Sequence, residues 1–75
     1  MTLTINPSEY AQLLAKYQPK VIQTEAENDR SAAFAQELEH KAHRTSSEEA
    51  ILELLVTLIE KFEDEHYPMP EGTPQ

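Results

Sequence analysis

Glu60, Glu63 and His66 stand at i, i+3 and i+6 near the end of a long apolar-periodic run. In a helix the Glu-x-x-His pair within that run projects from one face, the ligand spacing used by carboxylate-bridged di-metal bundles. Such a site takes a second copy of the pair and further glutamates facing it, which this chain lacks and only a second subunit would supply. A solvated polar face is the simpler expectation, so neither a metal ligand nor a cofactor is assigned. His40 and His43, also three apart, read as exposed residues at a helix end. For nucleophilic catalysis there is no cysteine, and Ser8, Ser31, Ser46 and Ser47 are accounted for as helix caps or helix surface. Gly72 is the sole glycine, so there is no glycine-rich loop to cradle a phosphate. The many carboxylates have no apolar pocket in view that would drive the pKa values of a pair apart. The chain is not expected to be an enzyme.

Those residues ride on one unmistakable helix. Between Thr45 and Pro68, Ser46 or Thr45 can cap its start, with Glu49 or Glu48 three residues on as the reciprocal partner of a capping box. Proline at 68 supplies no backbone donor and stops it. About 20 residues intervene, roughly 30 Å of helix at 1.5 Å per residue. Ile51, Leu52, Leu54, Leu55, Val56, Leu58, Ile59 and Phe62 cover more of its circumference than a helix resting on one core requires. Such a helix needs cover on two sides.

Two shorter helices precede it, after an extended lead-in from Met1 to Ile5. Asn6-Pro7-Ser8-Glu9 gives a cap, a proline at the first helical position and an acid in the first turn. Tyr10, Leu13, Leu14 and Tyr17 then follow at i, i+3, i+4 and i+7, and Pro19 ends this helix near Gln18. After the connector Lys20-Val21-Ile22-Gln23, Thr24-Glu25-Ala26-Glu27 repeats the capping-box signature and opens a helix expected to reach Ala42. Its expected inner face is made of small residues, Asn28, Ser31, Ala32, Ala35, Leu38 and Ala42, with Phe34 beside it. His40-Lys41-Ala42-His43-Arg44 places cations where that helix should end, which complements its dipole.

A chain of 75 residues makes one small domain, and domains of this size are marginally stable without a disulfide, a metal or a second subunit. With no cysteine, association is the expected supplement. Acidic residues outnumber Lys and Arg 14 to 6, for a formal charge of −8. Duplex DNA would be repelled and a basic protein attracted. Neither a membrane span nor a signal peptide is in view, and the expected location is the cytoplasm. Glu60, Glu63, Asp64 and Glu65 crowd the last turns of the long helix, where the dipole disfavours negative charge by about 0.3 to 1 kcal/mol each. A cationic partner against this end would offset that cost.

The run Glu-Glu-Ala-Ile-Leu-Glu-Leu-Leu-Val-Thr-Leu-Ile-Glu-Lys-Phe-Glu-Asp-Glu-His-Tyr-Pro from Glu48 to Pro68 resembles the N-terminal region of HigA-type antitoxins. The Pro-Lys-Val-Ile connector and the Thr-Glu-Ala-Glu opening at Thr24 fit the same pattern, so the resemblance spans most of residues 18 to 70. Asn28 departs from it, standing where similar sequences carry an aromatic residue. The resemblance implies a helical region ahead of a proline-containing linker and a C-terminal helix-turn-helix domain of the Xre type. By the same resemblance the whole protein would be the antitoxin of a type II toxin–antitoxin pair, neutralising a small basic mRNA endonuclease and regulating transcription of its own operon.

These readings converge on an all-α fold of three helices, near Pro7 to Tyr17, Glu25 to Ala42 and Ser47 to His66. The third lies at the centre and the chain forms a homodimer. Residues 1–67 would be the toxin-binding and self-association region. Residues 68–75, with three prolines, would be a linker toward a helix-turn-helix domain lying outside this chain, through which operator DNA would be bound. The expected dimer contact is Leu55, Leu58, Ile59 and Phe62, and Glu60, Glu63 and Asp64 would meet the partner. The alternative is a standalone acidic helical adaptor that covers a basic surface without DNA binding.

Overall fold

A computed structural model describes residues 5–67. The lead-in residues 1–4 and the expected linker 68–75 lie outside them. Three helices, α1 (Pro7–Tyr17), α2 (Glu25–Glu39) and α3 (Ser46–His66), follow in order, with no strand among the described residues. The fold is all-α, and both shorter helices pack on α3.

Each helix starts where its capping chemistry directs. Asn6 accepts from the backbone N–H groups of Ser8 and Glu9 at 2.9 and 3.1 Å. Thr24 and Glu27 form a complete capping box, as do Thr45 and Glu48. Of the two registers open for α3, the structure takes Thr45 with Glu48, and Ser46 is its first residue. Glu49 is thereby left to pair with Arg44 at 3.1 Å. Helix α1 ends on Gln18 in the left-handed region, φ 47°, where its N–H still reaches the Leu14 carbonyl. Pro19 disfavours right-handed helical geometry in the residue before it, so the turn cannot continue.

Helix α2 stops at Glu39, three residues short of the expected Ala42, which is exposed beyond its end. The reason is a side chain folding back. Arg44 donates through Nη1 to the carbonyls of Leu38 and Glu39, both at 3.1 Å, satisfying acceptors that further helix would otherwise have used. The cation that complements the end of α2 therefore comes from the loop.

The core forms where the three helices meet. Tyr17, Ala35, Leu38, Ile51, Leu52 and Leu55 are one buried cluster, with Tyr10, Leu13, Phe34, Val56 and Ile59 packed half-buried against it. The small-residue face of α2 holds its register, with Asn28, Ala35 and Leu38 buried and Ser31 and Ala32 half-buried. Phe34 turns toward α1, its ring edge-on to Tyr17 at 5.0 Å. Ser47 is buried rather than on the surface, and its Oγ and the Oδ1 of Asn28 find no hydrogen-bond partner among the described residues.

The loop between α2 and α3 is tied by one half-buried ion pair. Lys41 Nζ lies 2.5 Å from Glu48 Oε2, and Glu48 Oε1 accepts from the Thr45 N–H at 2.9 Å. The Lys41 hydrogen bond, then that of Thr45, holds the Glu48 carboxyl below its ordinary value, and the same pair raises Lys41. A depressed carboxylate stabilises the fold at pH above its unfolded value, and this contribution fades as pH falls toward the folded one. A raised lysine contributes at low pH and loses its share only as pH climbs through its own elevated pKa. Glu48→Gln keeps the capping box but removes the charge. Its melting temperature should lie below that of the parent at neutral pH, with the gap closing on acidification below the ordinary glutamate value of 4.5. A gap that persists through an acid series of thermal melts would show the ion pair to be irrelevant.

Candidate functional site

Six Lys and Arg residues face fourteen acids, and the structure spends nearly all the cations internally. Lys16 pairs with Glu37 at 4.0 Å, Lys20 with Glu27 at 3.4 Å, and Lys61 with Glu65 at 2.6 Å. With Lys41–Glu48 and Arg44–Glu49, only Arg30 lacks a carboxylate partner among the described residues. Glu27 is held below its ordinary value first by the Gln23 N–H, and Glu65 by Lys61. Two further acids serve as struts: Glu9 accepts from Thr45 Oγ1 at 3.0 Å, and Glu25 from the Tyr67 hydroxyl. Among the described residues Asp29, Glu39, Glu53, Glu60, Glu63 and Asp64 remain, all exposed and without a cation in reach.

Four of the α3 acids form a stripe. Glu49, Glu53, Glu60 and Asp64 stand at i, i+4, i+11 and i+15, the spacing of one helix side. Ile51, Leu55 and Phe62 repeat the i, i+4, i+11 pattern two residues later, about 200° around at ~100° per residue, and all three are buried. Burial of the apolar stripe is what aims the acidic stripe outward. Beside it runs an open groove of about 630 Å³, with Ile5, Ala50, Leu52 and Val56 as its apolar lining. Glu39 from α2 joins Glu49, Glu53 and Glu60 around it.

The residues expected to meet a partner divide sharply. Leu55 and Phe62 are each 1 % exposed and belong to the interior, which corrects their assignment to a contact surface. Ile59 is half-buried and packs on the core, while Leu58, also half-buried, lies outside the set that packs there, as does Leu54. Glu60, Glu63 and Asp64 are exposed, and Glu60 alone of them lines the groove. Glu39 and Glu53 were not singled out from sequence, and Glu49 only as a capping-box candidate. The i, i+4, i+11 spacing of Glu49, Glu53 and Glu60 was the available signal.

Glu63 and His66 of the Glu-x-x-His pair are both exposed. His66 stacks on Phe62 at 4.0 Å between centroids, its Nδ1 lying 3.0 Å from the Phe62 carbonyl oxygen. No group of three His, Asp or Glu side chains among the described residues converges as a metal site. No family model matches the chain, and no curated protein or solved structure matches it significantly. Among the described residues no helix is long and apolar enough to cross a membrane. What the arrangement offers chemically is a negative field over a helical frame, with an apolar furrow inside that field.

Proposed function

We propose that this chain is a cytoplasmic protein-binding module that covers a cationic protein surface, acting as the antitoxin of a type II toxin–antitoxin pair. The observation that carries the reading is the division of charge. Five of the six Lys and Arg side chains pair with carboxylates within the chain, which leaves Asp29, Glu39, Glu53, Glu60, Glu63 and Asp64 as exposed, unpaired acids among the described residues. A surface of one sign steers a partner of the other and repels nucleic acid.

The resemblance of residues 18 to 70 to HigA-type antitoxins supplies the identity of the partner, a small basic mRNA endonuclease. Operator binding and transcriptional regulation would reside in a C-terminal helix-turn-helix domain lying outside this chain. Leu54, Leu58 and Ile59 offer the half-buried apolar surface for self-association as a homodimer, the supplement that so small a core calls for. A standalone acidic adaptor would draw on the same charge division without the DNA-binding half.

Co-expression with the protein encoded beside it tests the reading. A stable complex that dissociates as salt is raised is the expected result, since exposed charge pairs are screened beyond about 8 to 10 Å at ordinary ionic strength. Failure of the two proteins to associate at low salt would overturn it.

A further inference from the structure

We propose that the furrow beside the acidic stripe of α3 is the docking site for a cationic amphipathic helix of a partner protein, an inference that rests on the reading of the chain as a cation-seeking module. The furrow has the two components such a helix requires. Its apolar lining is Ile5, Ala50, Leu52 and Val56, contributed by the residue before the first cap and by α3. Around it stand Glu39, Glu53 and Glu60, none with a cation in reach among the described residues, and Glu49, which shares Arg44.

Charge complementarity decides the occupant. Every ionised side chain that lines the furrow is a carboxylate, and of the four only Glu49 is paired, with Arg44, so an anionic peptide or a nucleic acid is repelled from it. A second copy of this chain brings the same acidic surface and has spent its own cations, Arg30 excepted. The spacing selects a helix among cationic segments. Glu53 and Glu60 are seven residues apart on α3, about 10.5 Å at 1.5 Å per residue. A partner helix running alongside with lysine or arginine at i and i+7 matches that separation, and apolar residues at i+3 and i+4 enter the furrow between them.

The probe is a synthetic helical peptide of lysine and leucine, about 14 residues and ~21 Å long, added to the whole chain at low salt. Affinity is read by fluorescence anisotropy and position by amide chemical shifts. Shifts concentrated at Ala50, Glu53, Val56 and Thr57 are expected. The double variant Glu53→Lys, Glu60→Lys should bind about tenfold more weakly or worse, the scale of losing close charge pairs. Asp29→Lys with Glu65→Lys changes the net charge equally but away from the furrow, and should bind much as the parent does. Equal weakening by both pairs of substitutions would overturn the docking site while leaving a diffusely anionic binding module standing. No binding by the parent chain would overturn both readings. Furrow shifts that appear on concentrating the chain alone would make this face a self-contact and likewise overturn the proposal.

Discussion

Replacing Leu55 by alanine is expected to remove about 2 to 5 kcal/mol of stability, the cost of deleting a buried leucine side chain from a packed core. Leu55 is 1 % exposed and sits in the cluster where Tyr17 of α1, Ala35 and Leu38 of α2, and Ile51 of α3 come together. All three helices meet there, so the cavity is felt by every element at once. At about 0.05 to 0.15 kcal/mol per residue the whole chain holds roughly 4 to 11 kcal/mol, and the loss is a large fraction of it. Urea titration followed by helical circular dichroism should show the midpoint falling steeply. Leu58→Asp supplies the contrast. Leu58 is half-buried outside the packed set, so the variant should keep its helicity and come apart as a dimer in sedimentation velocity. An unchanged dimer with normal helicity would remove Leu58 from self-association, and a Leu55→Ala variant with parental stability would contradict the core assignment.

Phe62→Ala is expected to cost about 3 to 5 kcal/mol, the range for truncating a buried aromatic residue. Phe62 is as buried as Leu55 but lies near the far end of α3, apart from the main cluster. It organises that end. His66 stacks on its ring, Tyr67 meets it edge-on at 6.3 Å, and the Tyr67 hydroxyl reaches Glu25 at the start of α2. The last turns of α3 carry Glu60, Glu63, Asp64 and Glu65, against the preference of the helix dipole. Without the ring, the compensation left among the described residues is His66 in the last turn and the exposed Lys61–Glu65 pair, and exposed pairs are worth little. The expected signature is a lower urea midpoint with amide exchange accelerated most strongly from Phe62 to Tyr67. Exchange protection unchanged over those residues would show that the acidic end holds itself.

Helix starts were legible because they are written in local chemistry. Asn6, Thr24 and Thr45 each accept from backbone groups two or three residues on, and two of the three find a glutamate at the reciprocal position. The small-residue register of α2 was legible for a similar reason, since only one side of that helix allows close approach. Its end was not. Ala42 and its neighbours carry no glycine or proline, and what halts the helix at Glu39 is Arg44 returning from the loop, a contact no local pattern records.

On α3 the apolar residues span so much of the circumference that periodicity cannot choose among them. Ile51, Leu55 and Phe62 face inward, whereas Leu54, one residue and about 100° from Leu55, and Leu58, three residues and about 60° from it, do not pack on the core. The acidic crowding at Glu60, Glu63 and Asp64 was visible as a violated dipole rule. The furrow itself was not, because Ile5 and Glu39 reach it only through the tertiary arrangement.

The most direct measurement of the central claim is growth of cells that express the adjacent gene product with and without this chain. Growth arrest by the neighbour alone, relieved when the chain is co-expressed, is the expected result. A neighbour that is harmless, or one whose toxicity persists while the chain accumulates in folded form, would contradict the antitoxin function.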